Sequence, residues 1–161
     1  MHANQEIEWH LGKVNTKEKW NGDYMSDGSI RELLESSAEL YRKHESLLSH
    51  LNLPLASLAY KIVNIGLAIN IPTVRVADFA DKFTAAYKRY LPRGHPQLSS
   101  VLQAAAMAAA CADPPSKEVL AMFHESREAF LLSHGPRDPE TARADQLVAQ
   151  YTTRLAHAAD V

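Results

Sequence analysis

The sequence predicts an all-α protein of stacked antiparallel helix pairs. Three observations carry that reading. From Ser29 onward, apolar residues recur at spacings of three and four, the period of a half-buried helix. Pro54, Pro96 and Pro139 stand 42 and 43 residues apart, and each suits the first turn of a helix, where a missing N–H costs nothing. The stretch from Pro96 to Ala112 holds no charged residue, as expected of a helix covered by neighbours on most sides.

Each element follows from local chemistry. Residues 1–28 read as an irregular head, free to depend on a partner for order. Ile7, Trp9 and Leu11 alternate with polar residues as in a short strand, and Asn21-Gly22-Asp23 reads as a turn. The helical repeat domain spans 29–161. Its first helix opens on a capping box, Ser29 to Glu32, and runs from about Ile30 to His50, with Leu47, Leu48 and Leu51 extending its stripe. The second starts at Pro54, carries Leu58, Ile62, Ile65, Gly66 and Ile69, and ends near Asn70. The third opens at Thr73, presents Val76, Phe79, Phe83 and Tyr87, and stops before Pro92.

The fourth helix runs from Pro96 to about Ala112, where Asp113-Pro114-Pro115 breaks it. The fifth is capped by Ser116 and lined by Val119, Leu120, Phe123, Phe130 and Leu131. The sixth takes Asp138 as cap, with Pro139 and Glu140 in its first turn, and reaches about Ala159. Helix pairs at a fixed period near forty are the mark of tetratricopeptide-type solenoids, so the six helices read as such a stack.

Composition narrows the function. A chain of 161 residues fits one domain. At 46% hydrophobic and 22% charged it is globular in character. Seventeen basic against nineteen acidic residues, a net charge of −2, argue against a nucleic-acid partner. The single cysteine, Cys111, makes neither an internal disulfide nor a multi-cysteine zinc site, and its place in the alanine-rich helix predicts a buried, inert thiol. The opening MHANQEIEWHLGK lacks an apolar signal core, and the longest uncharged stretch is too short to cross a bilayer. The expected setting is cytoplasmic, with the nucleus also open, and no membrane partner.

Three phrases then resemble a known family. Leu48-Ser-His-Leu-Asn52, Tyr87-Lys-Arg-Tyr-Leu-Pro-Arg-Gly-His-Pro96 and Phe130-Leu-Leu-Ser-His-Gly135 with Asp138-Pro139 resemble the C-terminal helical domain of the SET- and MYND-domain protein-lysine methyltransferases. The resemblance covers roughly 30–158. A Gly-x-x-His-Pro closure also occurs in kinesin-light-chain-type repeats. In the methyltransferase family, a separate SET domain binds S-adenosylmethionine, and a MYND finger and post-SET segment bind zinc. The Gly-rich and Asn-His segments of the one and the cysteines of the others have no counterpart in this sequence. The resemblance therefore implies the helical domain alone, as a fragment, a truncated product or a stand-alone relative.

No residue reads as catalytic, metal-binding or cofactor-binding. His124-Glu125 lacks the second histidine that a metalloprotease helix needs. His95 and His134 read as contacts at the C-terminal ends of helices. Lys88, Arg89 and Arg93 read as a solvated face. No Gly-x-Ser-x-Gly elbow or Gly-rich phosphate loop exists.

What remains is a protein-interaction module, non-catalytic by itself. Its partner would be a protein or peptide, such as a chaperone tail or a catalytic domain. The alternative is a piece of a protein-lysine methyltransferase that shapes the substrate cleft. In a tetratricopeptide stack the groove is lined by the first helix of each pair. That frame nominates Lys61, Asn64, Gln97, Ser100, Gln103, Arg143 and Arg154 as groove residues. The middle helix lacks the cations that a carboxylate clamp requires.

Overall fold

Among the described residues four helices begin at side-chain caps, and these caps fix where each of the four starts. Asn52 Oδ1 accepts from the Leu55 amide at 2.9 Å, Ser116 Oγ from Val119 at 3.3 Å, and Asp138 Oδ1 from Glu140 at 2.8 Å. The fourth cap is His95, whose Nδ1 accepts from the Gln97 amide at 3.1 Å. His95 therefore serves the start of the following helix, not the C-terminal end expected for it.

The structure, a computed structural model, describes residues 2–19, 27–69 and 74–160. Among these the chain is all-α: α1 Ala3–Lys19, α2 Asp27–His44, α3 Leu53–Ala68, α4 Thr84–Tyr90, α5 Pro96–Ala109, α6 Lys117–His134 and α7 Pro139–Ala159, with a 3₁₀ turn at Val76–Phe79 before α4. No strand occurs among the described residues. The turn signal at 21–23, the helix end at Asn70 and the helix start at Thr73 lie outside them.

Residues 3–19 differ from the irregular head and short strand read from the sequence. They form a 17-residue helix. Ile7, Leu11 and Val14 share one helical face; Ile7 and Val14 are fully buried, and Leu11 packs against the same core. Trp9, the residue that suggested alternation, points outward. Glu6 binds Lys43 Nζ at 3.0 Å and His44 Nε2 at 2.8 Å, and His10 Nε2 meets Ser37 Oγ at 2.8 Å. These pairings set α1 antiparallel to α2.

Two further helices are shorter than expected. α2 begins at Asp27, ahead of the Ser29 box, and ends at His44. Leu47 is exposed, so it belongs to no buried stripe. The third helix is broken: Val76–Phe79 winds as a 3₁₀ turn and α4 starts only at Thr84. Tertiary packing decides this break. Phe79 stacks edge-on against Tyr41 and Phe83 tilts against Tyr60, at ring separations of 5.3 and 5.5 Å.

The core runs through α3 and α5. α3 touches α1, α2, the 3₁₀ turn, α4 and α5. α5 touches α3, the 3₁₀ turn, α4 and α6. Val101, Ala105, Ala106 and Ala108 are essentially inaccessible, as the uncharged stretch predicted. The pairs are antiparallel, as their cross-contacts show. Ser57 Oγ meets Tyr87 Oη at 3.1 Å between α3 and α4, and Ser99 Oγ meets Ser133 Oγ at 2.7 Å between α5 and α6. From α6 to α7, Phe123 and Tyr151 stack at 5.2 Å, and Thr141 Oγ1 donates to the Gly135 carbonyl at 2.7 Å. Gly135 takes a φ of 87° to end α6, a backbone that glycine adopts without strain. Leu131, expected on the buried face of α6, is exposed; its neighbour Phe130 takes the core position.

No helix among the described residues is long and apolar enough to cross a membrane.

Candidate functional site

A cleft of about 400 Å³ opens where α4, α5 and α6 meet. Pro92 ends α4, and the chain turns through Gly94 to the His95 cap, which places α5 beneath and between α4 and α6. Leu98 and Leu102 of α5 form the floor. One wall carries Lys88, Leu91 and Arg93. The other is the α6 edge: Glu125, Glu128, Ala129 and Leu132, spaced so that they share one helix face.

Both ends of the cleft are fixed. Lys88 Nζ and Glu125 Oε1 bridge one end at 2.5 Å. At the other, Leu132 faces Gly94, its Cγ 3.8 Å from where a Cβ on Gly94 would stand, and Ser133 links to Ser99 while donating to the Ala129 carbonyl at 2.8 Å. Leu132 is 60% exposed beside this apolar floor. Arg93 and Glu128 are exposed and carry no ion pair among the described residues. The cleft is therefore an apolar trough with one basic and one acidic wall.

The seven groove residues nominated by the sequence do not line this cleft. Lys61 and Asn64 are half-buried on α3, Gln97 and Ser100 are exposed on α5, and Arg143 is exposed on α7. Gln103 is buried, its Nε2 without a partner, and so lies off any open face. Arg154 is engaged within the chain: Nη1 donates to the Ala110 carbonyl at 2.6 Å and Nη2 to Asp113 Oδ1 at 3.0 Å. It ties the end of α7 to the turn after α5. Sequence reasoning missed the cleft because it took only the first helix of each pair as groove-forming. The available signal was Leu132, one helical turn beyond Glu128 and two beyond Glu125, an apolar residue continuing a charged edge.

A smaller hollow lies between α1 and α2, lined by Glu6, Trp9, His10 and Lys43 among others. Hydrogen bonds from Lys43 and His44 hold the Glu6 carboxyl below its ordinary range. Lys13 lies over the Trp9 ring at 3.4 Å. Two phenols are moved away from acid–base work near neutrality: burial pushes Tyr41 up to about 12, and burial also raises Tyr87 against a lowering contact from Ser57.

Cys111 lies in the turn after α5 and is exposed, contrary to the buried thiol expected. The helix ends two residues before it, so the alanine-rich packing does not reach it. Among the described residues, no group of three or more His, Cys, Asp or Glu side chains is arranged to hold a metal ion. Lys88 of the basic run, read from the sequence as part of a solvated face, instead lines the cleft with Arg93 and pairs with Glu125 across it. No protein-family model matches the chain, and no curated protein matches it.

Proposed function

We propose that this chain is a protein-interaction module of the tetratricopeptide-like class, non-catalytic by itself, that docks a protein or peptide partner in the α4–α5–α6 cleft. One observation carries the reading: Leu132 stands 60% exposed over a concave apolar floor of Leu98 and Leu102. An exposed apolar group in a concavity rimmed by charges is the usual mark of a binding site. The rest of the stack serves as scaffold, since helix pairs that bury their backs leave an extended surface for partners. A cytoplasmic or nuclear setting suits this role. Of the two kinds of partner expected from the sequence, a separate catalytic domain suits this cleft better than a chaperone tail, because Glu125 and Glu128 on one wall oppose an acidic tail.

The test is affinity capture with the intact chain as bait, followed by mass spectrometry, in parallel with Leu132→Glu. The charge at an exposed position leaves the fold intact and removes the apolar ledge. A partner recovered with the original chain and lost with the variant supports the proposal. Equal recovery on both overturns it.

A second reading keeps the methyltransferase resemblance, with this domain forming a wall of the substrate cleft. One observation favours it: two phrases that carry the resemblance, 87–96 and 130–135, lie side by side, with Leu132 facing Gly94. A reading frame that continues this sequence into a SET segment would decide for it.

A further inference from the structure

The charges on the cleft walls specify the occupant. Lys88 and Arg93 stand on one wall, Glu125 and Glu128 on the other. Lys88 and Glu125 neutralise each other across one end. Arg93 and Glu128 are left, one cation and one anion on opposite walls, with the Leu98–Leu102 floor between them. A purely acidic tail would satisfy Arg93 and set its remaining charge against Glu128. A purely basic one would do the reverse. Like charges brought together at an interface count heavily against the wrong partner.

We infer that the cleft takes a short peptide segment of a partner protein in which one or two apolar anchor residues are flanked by an acidic residue on one side and a basic residue on the other. The anchor enters the floor beside Leu132; the acidic group meets Arg93 and the basic group meets Glu128. This rests on the interaction reading above and goes beyond it by naming the partner's chemistry. It also sets the site apart from an acidic-tail clamp, which would need cations on both walls. The anchor supplies the affinity, because a buried apolar side chain in a pocket dominates such contacts, and the rim charges supply orientation and selectivity.

The experiment uses four labelled ten-residue synthetic peptides with the same Leu-Phe centre, flanked by acidic and basic, acidic only, basic only, or uncharged residues. Binding to the full chain is read by fluorescence anisotropy at low salt. The mixed peptide is expected to bind roughly fivefold or more tighter than either single-sign peptide, the scale of an exposed ion pair gained and a repulsion removed. Arg93→Glu should shift preference to the basic peptide, and Glu128→Lys to the acidic one. Both positions are exposed, so the variants should keep the original melting temperature, checked by circular dichroism. Equal affinity for all four peptides, abolished by Leu132→Glu, would overturn this inference and leave the interaction module standing. No binding by any peptide, together with partner capture unaffected by Leu132→Glu, would overturn both. A dimer in sedimentation that Leu132→Glu dissociates would also overturn it, since the occupant would then be a second copy of the chain.

Discussion

Gly66 and Val76 are in such close approach that a Cβ on Gly66 would overlap Val76 Cγ2. The contact presses α3 onto the 3₁₀ turn, and both residues are buried. Val76 is β-branched and has little rotamer freedom with which to yield. Gly66→Ala should therefore destabilise the protein on balance, with overpacking against a stiff neighbour costing toward the upper part of about 1–3 kcal/mol against a gain of about 1 kcal/mol in helix propensity. Adding Val76→Ala should recover part of the loss. The check is a double-mutant cycle in denaturant; a stabilised Gly66→Ala would show that the contact relaxes freely.

The two alanines at the end of α5 should separate. Ala108 is fully buried, so Ala108→Leu should cost about 1–3 kcal/mol. Ala109 is half-buried and borders a hollow with Ala77, Ala80 and Met122, where a larger side chain has room. Ala109→Leu should cost less. Thermal melts of both decide it, and melting unchanged from the original chain in both variants would contradict a central α5.

Acid should loosen α1. The Glu6 carboxyl is held below its ordinary value of 4.5 by Lys43 first and His44 second. A depressed carboxyl contributes stability above its unfolded pKa, and that contribution is lost as pH falls through the folded value. Glu6→Gln should therefore narrow the difference between melting temperatures at pH 7 and pH 3. An unchanged difference would mean that the Glu6 contacts add nothing to the docking of α1.

The chain by itself should neither bind S-adenosylmethionine nor methylate lysine. Methyl transfer needs donor and amine held in line in a closed, largely dry pocket, with polar groups for the adenosine and carboxylate. The open cleft between α4 and α6 holds two charged walls and a leucine floor, and the sequence lacks the family's cofactor segments. Calorimetric titration checks this; micromolar binding would return the chain to the enzymes.

Much of the fold was legible in the sequence. Pro54, Pro96 and Pro139 lie in the first turns of α3, α5 and α7, because a residue without an N–H is neutral only there. The uncharged run is α5, and its burial follows from having nothing to solvate. α1 was misread because Trp9 interrupts the 7–11–14 stripe and imitates a period of two. The break at 80–83 was illegible, because Phe79 and Phe83 fit one helical face as well as two packing partners. Cys111 was misplaced by two residues of helix end. The cleft was hidden for a different reason: it is built by neighbours distant in sequence, so Lys88, Leu98 and Leu132 carry no joint signal until the helices are stacked.

The central claim is that the partner sits between α4 and α6. Its most direct test is hydrogen exchange of the chain, free and with a captured partner bound. The account predicts slowed amides in 88–94 and 125–132, with α3 around Lys61 and α7 around Arg143 unchanged. Protection confined to α3 and α7, with 88–94 and 125–132 exchanging as in the free chain, would contradict it.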